Sequence, residues 1–251
     1  MKITVRTRAL SLVNSMLRPT PLEVVRRGKG FKDYLPLQRT VRAAETAGVS
    51  IGDYIDNTYN VPGATQRTID QMTELGVFSQ VIRRVCEIGP GSGRYLDKTL
   101  KACNPSHYEI YETATDWRNW LVHRYHVTAH PADGASLSET PSGSIDLVQS
   151  HKVFAGLPFL TTIKYFSEMA RVAQEQGIIV FDIVTEECFD GQVTDDWLSS
   201  SVDWANSMIP KQFAIKFFDA RGCSLVGTFL ISMKPGITQY MAFRKHSRSS
   251  L

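Results

Sequence analysis

"CEIGPGSGRYL", residues 86–96, decides how this chain is read. The apolar run "VIRRVCEI" (81–88) leads into it, and a helix-like segment, "GRYLDKTLKAC" (93–103), leaves it. Between them glycines stand at 89, 91 and 93. Glycine reaches positive φ at no steric cost and lets a ligand lie against the main chain. A glycine loop at the carboxyl end of a strand is where open α/β sheets bind their ligands.

The loop departs from the dinucleotide fingerprint. That fingerprint is G-x-G-x-x-G, and here the third glycine comes one residue early. Pro90 also removes a backbone N–H that a pyrophosphate would use. A sulfonium with a zwitterionic tail needs fewer such donors, and its positive charge suits Glu87 beside the loop.

Outward from the loop, strands alternate with helices. "HYEIYE" (107–112) reads as a strand, "ATDWRNWLVHRY" (114–125) as a helix and "VTAHPA" as a short strand. "SIDLVQS" (144–150) is a strand, "LTTIKYFSEMARVAQ" (160–174) a helix, and "GIIVFDIV" (177–184) a strand apolar enough to be covered on both faces. Such alternation predicts βαβ units and a parallel sheet. In the tail, "FAIKFFDARG" predicts a helix stopped by Gly222. "SLVGTFLISM" and "TQYMAFRK" predict an antiparallel pair around a "KPG" turn, ending the otherwise parallel sheet. Upstream, residues 36–80 read as a helical cap with turns at "AGVSIGDY" and "NVPGAT", and Gly76 is a candidate C-cap. Three segments result: an extension over 1–35, the cap over 36–80 and a catalytic domain over 81–251.

The 251 residues, 43% apolar and 21% charged, suit one α/β domain with a packed core. A net charge of +3 does not indicate nucleic acid, which is not the expected partner. The four cysteines are scattered without a C-x-x-C pair, as expected of reduced thiols in a cytoplasmic protein. Residues 1–35 are basic, with Leu10, Leu12, Val13, Met16 and Leu17 as a candidate apolar side of a short helix. They suggest either peripheral contact with an anionic membrane or an extension packed on the domain or on the second subunit of a homodimer; the packed extension is preferred.

"EIGPGSG" resembles the first motif of the class I S-adenosylmethionine-dependent methyltransferases, (Asp/Glu)-x-Gly-x-Gly-x-Gly. Glu112, ending "HYEIYE", stands where that family carries its ribose-binding acid. "ADG" (132–134) stands where an acid meets the adenine amino group, and "SGSIDLVQS" resembles the family's fourth strand. One departure is "Glu-Gln-Gly" (175–177) in place of the usual Lys-Pro-Gly turn. Across residues 80–185 the resemblance implies a doubly wound, mostly parallel, seven-stranded Rossmann-like sheet and S-adenosyl-L-methionine as cofactor. It implies Glu87, Ile88, Gly89, Gly91 and Gly93 around the cofactor, Glu112 on its ribose, and Asp133, Gly134 and Ala135 at the base. Ser150 and Tyr59 are further expected cofactor contacts, Tyr59 from a lid over 56–66 hinged at Gly63; a plain helix–helix connection is the other reading of that segment.

A methyl acceptor with a hydroxyl needs a base. His151, at the carboxyl end of the fourth strand, is the catalytic candidate; a structural histidine is the other reading. Lys152 is a candidate contact for an acidic acceptor. Asp182, Glu186 and Glu187 could orient sugar hydroxyls, and no metal is expected. The acids and Trp197 and Trp204 in 185–213 point to a sugar or glycan acceptor; a natural-product or lipid-linked acceptor and a non-catalytic cofactor-binding protein are the alternatives.

Overall fold

A computed structural model describes residues 35–199, 207–234 and 236–247. The readings made for residues 1–34 and for Trp204 lie outside this range. Residues 36–251 form one compact unit.

Helices α1 (Leu37–Ala47), α2 (Ile51–Tyr59) and α3 (Ala64–Glu74) precede the sheet. The first turn is shorter than expected. Gly48 (φ +65°) ends α1, and Ser50 caps α2 by accepting from the Asp53 N–H at 3.0 Å, so Ile51–Tyr54 are already helical. Then come β1 (Arg84–Ile88), α4 (Arg94–Cys103), β2 (His107–Tyr111), α5 (Thr115–Tyr125), β3 (Thr128–His130), β4 (Ile145–Ser150), α6 (Phe159–Val172), β5 (Ala173–Ile183), α7 (Gly191–Ser199), α8 (Lys211–Asp219), β6 (Cys223–Ser232) and β7 (Ile237–Lys245).

The seven strands lie in the order β3-β2-β1-β4-β5-β7-β6. All pairings through β5 are parallel, and β7 is antiparallel to both its neighbours. This is the doubly wound, mostly parallel sheet the alternation predicted. Helix α6 stops at Val172 rather than 174, and β5 begins at once. Gly177 is forced at this junction, because a Cβ there would stand 2.8 Å from the Ile145 carbonyl oxygen.

The side-chain alternation of the strands builds two cores. Cys86, Ile88, Val148, Phe181, Met241 and Phe243 face α6 and α8, where Phe166 and Phe218 fill the layer. Val85, Ile110, Leu147, Val180, Tyr240 and Ala242 face the cap and α4, meeting Ile69, Met72 and Leu96. The cap helix α3 is thus seated on the sheet itself: a Cβ on Gly227 of β6 would stand 2.6 Å from Leu75.

Candidate active site

At the carboxyl edge of the sheet, the second face turns polar. Glu87, Gln149, Asp182 and Tyr240 continue the alternation of Val85, Leu147, Val180 and Ala242, and His151 extends the β4 series one step beyond the strand. All five are buried. Buried polar groups need partners, and the partners define the site.

The glycine loop is built for close approach. Gly89 (φ +63°) donates to the Tyr111 carbonyl at 2.8 Å, and a Cβ on it would meet Val153 at 2.7 Å. Gly93 (φ +74°) would meet Leu121 at 2.4 Å. Gly91 (φ +54°) is different: no atom of the described residues lies within 4 Å of the Cβ position. Its N–H donates to Glu112 Oε2 at 2.7 Å, and Glu112 Oε1 accepts from the Ala114 N–H at 2.7 Å. Each carboxylate oxygen keeps a lone pair for another donor. This arrangement can hold a nucleoside by its ribose, with main chain at Gly91 against it. Ser150, on the other face, donates to the Ile88 carbonyl at 3.3 Å and so ties β4 to the root of the loop.

Glu87 lies beneath the loop. Its Oε2 accepts from the Tyr108 hydroxyl at 2.5 Å, and Gln149 donates to that same hydroxyl at 2.9 Å. Burial outweighs these bonds and raises the Glu87 carboxyl to about 7.

Asp133 sits in the exposed loop after β3. Its oxygens accept from the Ala135 N–H at 2.8 Å and from the Ser136 N–H and hydroxyl at 2.7 Å each, which hold the carboxyl below its ordinary range. The backbone of Gly134 (φ +79°) faces open space. Tyr59 ends α2 with its ring edge-on to Tyr54 at 6.3 Å.

His151 is enclosed. Tyr95, in the first turn of α4, stacks on it at 4.1 Å with the planes 11° apart. Nδ1 lies 3.3 Å from the Tyr240 hydroxyl, while Nε2 is buried without a hydrogen-bond partner among the described residues. Burial drives the imidazole down to about 3; Asp182 pulls the other way, and Lys152 and Arg94 add to the fall. The ring is therefore neutral at physiological pH.

Lys152 differs from the expectation. It does not stand open for an acidic acceptor: its ammonium lies 3.1 Å from Asp182 Oδ2 and donates to the Thr238 hydroxyl. Asp182 Oδ1 also accepts from the Lys152 main-chain N–H at 2.6 Å, clamping that residue in the left-handed region at φ +61°. Glu187 is likewise engaged, with Lys211 at 2.9 Å and Gln239 at 2.6 Å, and Glu186 accepts from the Lys211 main-chain N–H at 2.9 Å. Trp197 is half-buried and edge-on to Phe189 at 5.4 Å.

Three groups escaped the sequence reading. Asp56, in the cap, binds the Arg94 guanidinium at 2.8 Å and accepts from the Thr65 N–H at 2.7 Å and hydroxyl at 2.9 Å. Tyr95 carries the α4 end of the site, and Tyr240 the β7 end. Tyr240 offered one signal, a polar residue on the inward side of "TQYMAFRK" two steps from Thr238. Asp56 and Arg94 offered none, since their pairing spans 38 residues of sequence.

The fold is shared with known proteins. It superposes on an O-methyltransferase family protein from Burkholderia thailandensis with a TM-score of 0.58, 16% identity, and coverage of 84% of this chain and 64% of that one. It also superposes on the N-methyltransferase NodS from Bradyrhizobium japonicum WM9 in complex with S-adenosyl-L-homocysteine, with a TM-score of 0.57, 14% identity, and coverage of 83% and 99%. The (4+2)-cyclase SpnF shares it too, with a TM-score of 0.52, 12% identity, and coverage of 72% and 82%. The chain thus has a methyltransferase-type fold, and that fold also carries other chemistry. No family model matches the chain. A curated relative, an acetyl-coenzyme A synthetase of Cupriavidus pinatubonensis, is 30% identical over 124 residues; these are 46% of this chain and 19% of that protein, so the chain spans about a fifth of the relative's length.

Proposed function

We propose that the protein is an S-adenosylmethionine-dependent methyltransferase. The observation that carries this reading is Glu112 bonded to the Gly91 N–H beside the open side of that glycine. In this reading Glu87, Ile88, Gly89, Gly91 and Gly93 wrap the cofactor and Glu112 takes its ribose hydroxyls. Asp133, Gly134 and Ala135 border the base, and Ser150 holds the loop in place. Tyr59 covers the amino-acid end from the cap, residues 36–80, over the catalytic domain of 81–251. The cofactor supplies a methyl group on a sulfonium. The loop aligns it for in-line displacement.

The finer proposal is O-methylation, with a sugar or glycan hydroxyl as acceptor. A neutral His151, its Nε2 without a hydrogen-bond partner among the described residues, can accept the hydroxyl's hydrogen bond and, as methyl transfers, its proton. The low basicity of the buried ring makes proton transfer late, after charge has developed on the acceptor oxygen. Glu186 and Glu187 are engaged by Lys211 and Gln239, but the exposed acids Asp195 and Asp196 in the insertion after β5 support a polyhydroxylated acceptor. Leu198 and Met208, exposed in that same insertion, favour the second reading, a lipid-linked or natural-product acceptor.

The test has two stages. Calorimetry should detect S-adenosylhomocysteine binding to the intact chain; no heat with it, but uptake of a nicotinamide or flavin coenzyme, would refute the proposal. Release of S-adenosylhomocysteine from S-adenosylmethionine, measured over a panel of saccharides and lipid-linked acceptors, then identifies the acceptor class.

A further inference from the structure

Residue 152 breaks the alternation that orders the rest of β4. Val148 and Ser150 lie on the first face of the sheet, Gln149 and His151 on the second. Regular pleating would send Lys152 to the first face and Val153 back to the second. The structure does the reverse. The Lys152 ammonium lies 3.1 Å from Asp182 Oδ2 and 5.2 Å from the centre of the Tyr240 ring, both on the second face. Val153 packs on the first core, and its Cγ2 lies 2.7 Å from where a Cβ on Gly89 would stand. The left-handed conformation of Lys152, at φ +61°, inverts the order.

That conformation is costly for any residue with a side chain, and glycine or asparagine is its usual occupant. Lysine has no acceptor with which to bond its own main chain. Asp182 supplies one from β5. Its Oδ1 accepts from the Lys152 main-chain N–H at 2.6 Å, and its Oδ2 faces the ammonium, with the two side chains 1% and 9% exposed. A buried ion pair adds little net stability by itself. This one grips residue 152 at both main chain and side chain. Its neighbours are His151, stacked on Tyr95 at 4.1 Å, and Val153, beneath Gly89.

We infer that Asp182 is a positioning residue. By holding Lys152 left-handed it turns the His151 ring into the site and sets Val153 under the glycine loop, so one carboxylate aligns the proton acceptor with the cofactor. The inference rests on the proposed methyltransferase reading for the roles of His151 and the loop; the clamp itself stands on the geometry.

The test separates backbone conformation from charge. Removing Asp182 alone strands a buried ammonium, so two double variants of the full-length chain are compared: Asp182→Ala with Lys152→Gly, and Asp182→Ala with Lys152→Met. Neither buries a charge there, and they differ only at residue 152. Glycine takes the left-handed conformation freely, and methionine does not. Calorimetry with S-adenosylhomocysteine should find the glycine variant within about threefold of the unaltered protein and the methionine variant roughly tenfold weaker. The His151 ring protons, assigned by their loss in His151→Gln, give an independent readout. Their shielding by the stacked Tyr95 ring should persist in the glycine variant and fall in the methionine variant. Equal shielding in the two, or equal affinity, overturns the inference, because residue 152 then matters only through its charge. Should the unaltered protein give no heat with S-adenosylhomocysteine, the cofactor reading fails, and the shielding comparison alone decides the clamp.

Discussion

The Arg94 guanidinium meets the Asp56 carboxylate at 2.8 Å with both residues inside the protein, 6% and 1% exposed. Arg94 directly follows the glycine loop, and Asp56 belongs to the cap. A Cβ on Gly52 of α2 would stand 3.1 Å from the Arg94 Cβ, so the two segments touch. Breaking one partner of such a pair strands the other charge. Asp56→Asn should therefore destabilise the protein by about 3 kcal/mol, measured by urea unfolding. An unchanged midpoint would mean that the cap is held by its apolar contacts alone.

Two buried groups give opposite responses to pH. Glu87, raised to about 7, contributes stability that is whole below its unfolded value of 4.5 and is lost as pH climbs toward 7. His151, lowered to about 3, contributes stability present above 6.5 and lost as pH falls toward 3. Between 4.5 and 6.5 the two slopes cancel. In Glu87→Gln only the histidine slope remains, and stability should rise with pH by about 1.4 kcal/mol per unit. In His151→Gln it should fall by about the same amount. Parallel curves for the two variants in thermal or urea unfolding would refute the assignment.

The loop glycines should separate by function. Gly93→Ala drives a methyl into Leu121 at a left-handed residue and should cost the fold roughly 3 kcal/mol. Gly91→Ala meets no described neighbour and should cost the fold about 1 kcal/mol. Its methyl fills the space assigned to the cofactor, so S-adenosylhomocysteine affinity should fall tenfold or more. Unfolding curves and calorimetry on both variants check this. Equal binding in Gly91→Ala and the unaltered protein would place the ligand elsewhere.

Glu112→Gln replaces an acceptor by an amide that must turn one N–H toward either Gly91 or Ala114. Both ribose contacts and the loop's shape suffer. The expected loss in S-adenosylhomocysteine affinity is roughly 10- to 100-fold, the worth of a charge-assisted hydrogen bond. A calorimetric titration within a factor of two of the unaltered protein would remove Glu112 from the site.

The parallel half of the sheet was legible because its strands are apolar and separated by helix-period segments. Even the antiparallel β6–β7 pair showed in "SLVGTFLISM" and "TQYMAFRK". The loop and Glu112 were legible because glycine spacing and an acid at a strand end are local signals. Tyr95, Asp56 and Tyr240 were not. Each acquires its meaning from a partner far along the chain: Tyr95 from His151, Asp56 from Arg94, Tyr240 from Asp182 and His151. Lys152 was misjudged for the same reason, since its counter-charge comes from the neighbouring strand β5.

Strand β7 follows β6 in the chain, yet it lies between β5 and β6. During synthesis, the parallel half of the sheet must wait with the flank of β5 bare. Its free amides and carbonyls are a template for any extended segment until residues 237–245 slot in. The same insertion delivers Tyr240 to His151, so closing the vulnerable edge and completing the polar cluster are one assembly event.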